Sequence, residues 1–131
     1  MTAAGALRSL GAGLAGFVVY GGWAYWANLS HGQAMGLRAG LLQGGYSFAL
    51  TFFSTLLMEW LYRRCAGRPH ARLLTIASTG VILLVVPVTL HMLAGTPEIL
   101  MTIAPGFAIG MLYTATYVTA LARVDALAKP R

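Results

Sequence analysis

Four long apolar runs, Leu7–Ala27, Ala39–Tyr62, Leu73–Leu93 and Ile99–Ala122, make up most of this chain, and almost all its charges sit at their ends or in the gaps between them. Each run is about the 20 residues that a helix needs to cross the ~30 Å hydrocarbon core of a bilayer. In lipid a backbone must satisfy its own polar groups, so runs of this length are expected as helices; the period-2 alternation of a membrane barrel is absent. The expected fold is an all-α membrane protein of one domain, residues 1–131, with four transmembrane helices in two hairpins over about 7–27, 33–62, 71–93 and 97–122. Threaded as alternating crossings, the chain places Arg8, Arg63, Arg64, Arg68, Arg72, Arg123, Lys129 and Arg131 on one face and leaves Arg38 for the other. The positive-inside rule then makes both termini and the 63–72 loop cytoplasmic, an N-in/C-in protein of the inner or plasma membrane.

Only 9% of the residues are charged and 58% are hydrophobic, against about a quarter charged in soluble domains. The net charge of +6 raises the question of nucleic acid. Because the basic residues flank apolar spans, topology and anionic lipid head groups account for them, and nucleic acid is not an expected partner. The expected partners are the lipid bilayer and either further copies of the chain or a larger membrane complex. Cys65 is the only cysteine, so no intramolecular disulfide and no sulfur-based metal spacing is available. Neither a metal nor a cofactor is expected. Arg8 followed by an apolar stretch looks like a signal peptide, but the run is long and ends in Trp23-Ala24-Tyr25-Trp26-Ala27 without a small-x-small cleavage pair, so the first span is expected to be retained.

Glycine is frequent in helix 1 (Gly11, Gly13, Gly16, Gly21, Gly22) and recurs at four-residue steps in helix 2 (Gly36, Gly40, Gly44) and helix 4 (Gly106, Gly110). Small residues let membrane helices approach closely, and helices 2 and 4 are expected to pack through these faces. Ser30-His31-Gly32-Gln33 matches a capping box that would start helix 2 near His31, with Ser30 as N-cap. Thr96-Pro97-Glu98 supplies an N-cap, a first-turn proline and an acid for helix 4. Asn28-Leu29-Ser30 matches a glycosylation sequon, in a loop too short and too close to the membrane to serve as an acceptor. On the same side His31, Arg38, His91 and Glu98 are expected near one another, with Arg38 pairing with Glu98. Pro87 and Pro105 predict bends in helices 3 and 4.

The sharpest functional signal lies in helix 2, where Gln43, Ser47, Thr51, Thr55 and Glu59 recur every four residues with Ser54 beside them. At about 100° per residue, steps of four drift slowly around a helix and form one slanted polar line. Such a line is costly against lipid, so it should face other helices, a path for substrate or protons, or a partner. Helix 4 offers Thr102, Gly106, Gly110, Tyr113 or Thr114, and Tyr117. If the two lines meet, Gln43, Ser47, Thr51, Tyr113 and Tyr117 would line a cleft suited to an amphipathic ligand. Glu59 is the acid beside a span, with Arg63 four residues on in the favourable order for an ion pair. Arg63, Arg64, Arg68 and Arg72 are candidate contacts for a phosphate or lipid head group.

In size and layout the chain resembles small four-helix exporters and the four-helix flippases of lipid-linked sugars, although the exporters' membrane acid in helix 1 is absent. Thr51-Phe52-Phe53-Ser54-Thr55 resembles a motif of small dimeric fluoride channels, but the asparagine those channels carry in helix 2 is missing. No family is assigned. No catalytic triad is available, because no nucleophile stands in a recognisable turn, and the chain is not expected to be an enzyme. The expected function is a transport or flipping unit for an amphipathic or lipid-linked anionic substrate; the alternative is a non-catalytic accessory or assembly subunit of a larger membrane complex.

Overall fold

The computed structural model describes residues 3–128, so the charges of Lys129 and Arg131 lie outside the described residues. Four helices follow one another, α1 (Ala3–Asn28), α2 (Gln33–Cys65), α3 (Ala71–Leu93) and α4 (Ile99–Ala128), with a 3₁₀ turn at Leu29–His31 between the first two. They form an up-and-down bundle. One end, here the basic end, holds the α2–α3 loop with Arg68, flanked by Arg63 and Arg64 at the end of α2 and Arg72 at the start of α3; the far end holds the 3₁₀ turn and the α3–α4 loop. α2, α3 and α4 are long and apolar enough to cross a membrane. α1 is 26 residues long, about 39 Å at 1.5 Å per residue, but its glycines, tyrosines and tryptophans dilute its apolar character. α3 and α4 continue unbroken through Pro87 and Pro105.

Local chemistry sets the helix ends differently from the sequence expectation. The Ser30 capping box does not form. Ser30 lies within the 3₁₀ turn, and α2 starts at Gln33 from Gly32, whose φ of 105° and ψ of 152° fall where only glycine is comfortable. Thr96 does not cap α4 either. Its hydroxyl is engaged by His91, and the first α4 hydrogen bond runs from the Thr102 N–H to the Glu98 carbonyl.

The glycine faces of α2 and α4 do not pack on each other. Gly36, Gly40 and Gly44 face α1 instead. A β-carbon on Gly40 would lie 2.9 Å from the Gly21 carbonyl oxygen, and one on Gly44 2.9 Å from that of Phe17. The α1–α2 seam is therefore backbone against backbone, the close approach that small residues permit in membranes. On α3, Gly80 accommodates Met111 of α4, while Gly110 of α4 faces Leu83. Of the helix pairs in contact, α2 and α4 touch least.

Candidate functional site

Three helices turn lines of four-residue steps toward the bundle interior. On α3, Thr75, Thr79, Leu83, Pro87 and His91 are all buried. On α4 the buried set includes Thr102, Thr114 and Val118, and on α2 it includes Gln43, Ser47 and Met58. A cavity of about 350 Å³ opens between these lines, with Tyr20 of α1 on its wall. Gln43, Ser47, Thr51 and Ser54 border it from α2, Thr79, Leu83 and Pro87 from α3, and Ile103, Gly106, Phe107, Gly110, Tyr113 and Thr114 from α4. Among the described residues no charged side chain lies on this wall.

Toward the far end the cavity is closed by a buried polar relay. His91, 1% exposed, has Nε2 2.9 Å from the Gln43 amide oxygen and Nδ1 2.8 Å from the Thr96 hydroxyl. An amide oxygen can only accept, so Nε2–H donates to Gln43 and Nδ1 accepts from Thr96. Beyond it Asn28, 0% exposed, donates to the Ala24 carbonyl (2.9 Å) and to the Thr102 hydroxyl (2.7 Å). Its own oxygen accepts from the Glu98 N–H at 3.1 Å. The residue that matches a sequon is thus a buried clasp between α1 and the start of α4. The Trp23 indole N–H donates to the Met101 carbonyl at 2.7 Å, adding a second tie between the same helices. Glu98 pairs with His31 at 3.1 Å, not with Arg38, which is exposed. His91 likewise belongs to the interior and not to a surface group with Arg38.

Toward the basic end, Met58, Thr75 and Val118 are fully buried about one turn past the cavity and fill the interior there. With both ends occupied, the way in is from the side. Ile109 and Tyr113 are 56% and 45% exposed, and Thr51 is exposed as well; these wall residues of α2 and α4 reach the outside of the bundle.

Of the polar positions singled out from sequence, Gln43, Ser47, Thr51 and Tyr113 border this cavity, whereas Thr55, Glu59 and Tyr117 do not. Glu59 lies nearer the basic end, where it accepts from the Tyr117 hydroxyl at 2.7 Å and from Arg63 Nη2 at 3.3 Å. Tyr117 in turn packs on Tyr113, with ring centroids 5.9 Å apart, so the Glu59 cluster adjoins the cavity wall through this pair. The four arginines do not converge. Arg63 is on Glu59, Arg64 sits over the Trp60 ring at 5.1 Å, and Arg68 and Arg72 are exposed in the loop and at the start of α3. Among the described residues no three His, Cys, Asp or Glu come together to hold a metal ion.

Sequence reasoning missed Thr79, Tyr20 and Tyr46 as wall residues and His91 as the far-end closure. The α3 residues had a usable signal, because Thr75, Thr79 and His91 fall on one line of four-residue steps with Leu83 and Pro87. Set beside known proteins, the chain matches no family model, no curated protein and no solved structure.

Proposed function

We propose that this protein crosses the membrane four times with both termini cytoplasmic, and that it is a transport or flipping unit for an amphipathic or lipid-linked anionic substrate. The observation that carries the reading is that wall residues of the cavity, Thr51, Ile109 and Tyr113, are exposed on the side of the bundle. A cavity that opens sideways, through residues on helices apolar enough to lie in lipid, admits a molecule from the bilayer more readily than a solute from water. Its walls mix Leu50, Leu57, Ile103 and Phe107 with hydroxyl and amide groups, the composition of a ligand pocket for an amphipathic molecule. A bare ion would instead need charged or densely packed oxygen ligands. Past the last wall residue of α2, Leu57, the exposed basic segment begins six residues on, about 9 Å along the axis, where Arg63, Arg68 and Arg72 can attract an anionic head group at the interface. Under this reading Glu59, held by Tyr117 and Arg63, sits between the side opening and the basic surface and controls exchange between them, and no bond is made or broken in the substrate.

The test is reconstitution in liposomes carrying phosphatidylglycerol with a fluorescent head-group label, read by quenching of the outer leaflet. Flipping above the protein-free rate is the expected result, and Glu59→Gln should abolish it while expression and assembly persist. No flipping, together with recovery only in company with an unrelated large membrane protein, would replace this reading with the accessory one.

A further inference from the structure

Four helical threonines of this protein bond back to their own helix, and a fifth is buried with its hydroxyl unpaired. Thr51, Thr75, Thr89 and Thr116 each donate to the carbonyl four residues earlier, at 2.8–2.9 Å. Thr79 is 2% exposed and its hydroxyl has no hydrogen-bond partner among the described residues. A buried hydroxyl left unpaired is destabilising, and native structures rarely carry one without a reason. This one is on the cavity wall, where Thr114 of α4 and Ser47, Thr51 and Ser54 of α2 add further hydroxyls.

The chemistry of the wall narrows what could meet Thr79. An anionic or cationic group would enter a space with no countercharge and lose its hydration uncompensated. A purely apolar group would leave Thr79 as it is. What fits is an uncharged group with several donors and acceptors. Size narrows it further, because about 350 Å³ is room for roughly a dozen waters at about 30 Å³ each, hence for one sugar-sized group and not for a whole diacyl lipid. The basic segment lies apart from this wall, since Arg63 follows the wall residue Leu57 by six positions, about 9 Å along the axis.

We infer that the cavity binds the neutral, hydroxyl-bearing part of an amphipathic molecule, with Thr79 hydrogen-bonding it, while any anionic part stays outside at the arginines. This rests on the flipping reading above and narrows its substrate to a hydroxylated, glycosyl- or polyol-like head group.

Native mass spectrometry of the full chain released from lipid discs provides the test, with monoglucosyl diacylglycerol, plain diacylglycerol and phosphatidic acid of identical acyl chains as probes and free glucose as competitor. Monoglucosyl diacylglycerol should be retained in preference to the other two lipids. Thr79→Val should weaken its retention about threefold to tenfold, the worth of one neutral hydrogen bond, and Thr79→Ser should restore it. The same Thr79→Val should leave the thermal stability of the unliganded protein unchanged or raised, since it removes an unpaired hydroxyl without changing volume; a merely structural threonine would lose stability. Competition by free glucose would assign the neutral group to a soluble polyol and uphold the site chemistry. Phosphatidic acid retained best and insensitive to Thr79→Val would overturn this inference while leaving flipping intact. Equal retention of glucosyl and plain diacylglycerol would overturn it too, leaving water as the partner of Thr79. Thr79-dependent retention without flipping in liposomes would instead sink the transport reading and keep the site.

Discussion

The two faces of α2 solve opposite problems. The glycine face is closed as tightly as a helix pair allows, with Gly40 against the Gly21 backbone and Gly44 against that of Phe17. The polar face, a fraction of a turn away, is left open against α4, and the space between them is the cavity. Membrane helices gain little from burying apolar groups against one another, because lipid is equally apolar; packing and hydrogen bonds decide the seams. One seam therefore rests on shape alone. The other is held at its ends, by the Gln43–His91–Thr96 relay at one and by the Glu59–Tyr117 and Tyr62–Asp125 contacts at the other. The rigid seam supplies a fixed wall, and the loose one supplies an entrance.

This contrast can be broken most forcefully at Gly40. Gly40→Val places carbon against backbone that cannot move aside, and should destabilise by about 3 kcal/mol, the upper end for overpacking; denaturation in detergent would show a large midpoint shift, and α1 would become accessible to protease. Next in size is His91→Leu, which orphans the Gln43 oxygen and the Thr96 hydroxyl. At about 1–3 kcal/mol for each unsatisfied group, a loss on the order of 2 kcal/mol or more is expected, measurable in the same assay. Glu59→Gln should cost less than about 1 kcal/mol, because exposed helix ion pairs contribute about 0.3–0.5 kcal/mol and the amide can still accept from Tyr117; its effect should appear in flipping instead. The smallest change, of opposite sign, is expected at Gly45, which has open space where a β-carbon would go. Gly45→Ala should be neutral or stabilising by up to about 1 kcal/mol through helix propensity. If Gly40→Val and Gly45→Ala shifted stability alike, the two-faced account of α2 would be wrong.

The helices and the polar line of α2 were legible because both are periodic, and period survives without knowledge of partners. Partner choice was not legible. Gly36, Gly40 and Gly44 announce a close approach but do not name the approaching helix, and the matching glycine, Gly21, was equally available in the sequence. Capping residues misled for a related reason. Thr96 has the chemistry of an N-cap, but a buried histidine five residues earlier offered its hydroxyl a bond inside the bundle, where leaving His91 unpaired would cost more than leaving the N–H groups of a helix start to other acceptors such as Asn28. Asn28 and His91 were placed at the surface by their position near a loop, whereas their hydrogen bonding to α4, α2 and the α3–α4 loop required the packed bundle.

The side-opening cavity is the central claim, and spin labels test it directly. A nitroxide placed at Thr51→Cys or at Ile109→Cys, in a Cys65→Ser background in liposomes, reports collisions with lipid-soluble oxygen and with a water-soluble nickel chelate. The account predicts frequent oxygen collisions and few with the chelate at both positions, because the side opening faces lipid. Frequent chelate collisions at either position would mean that the cavity is entered by water from one end of the bundle, and would contradict it.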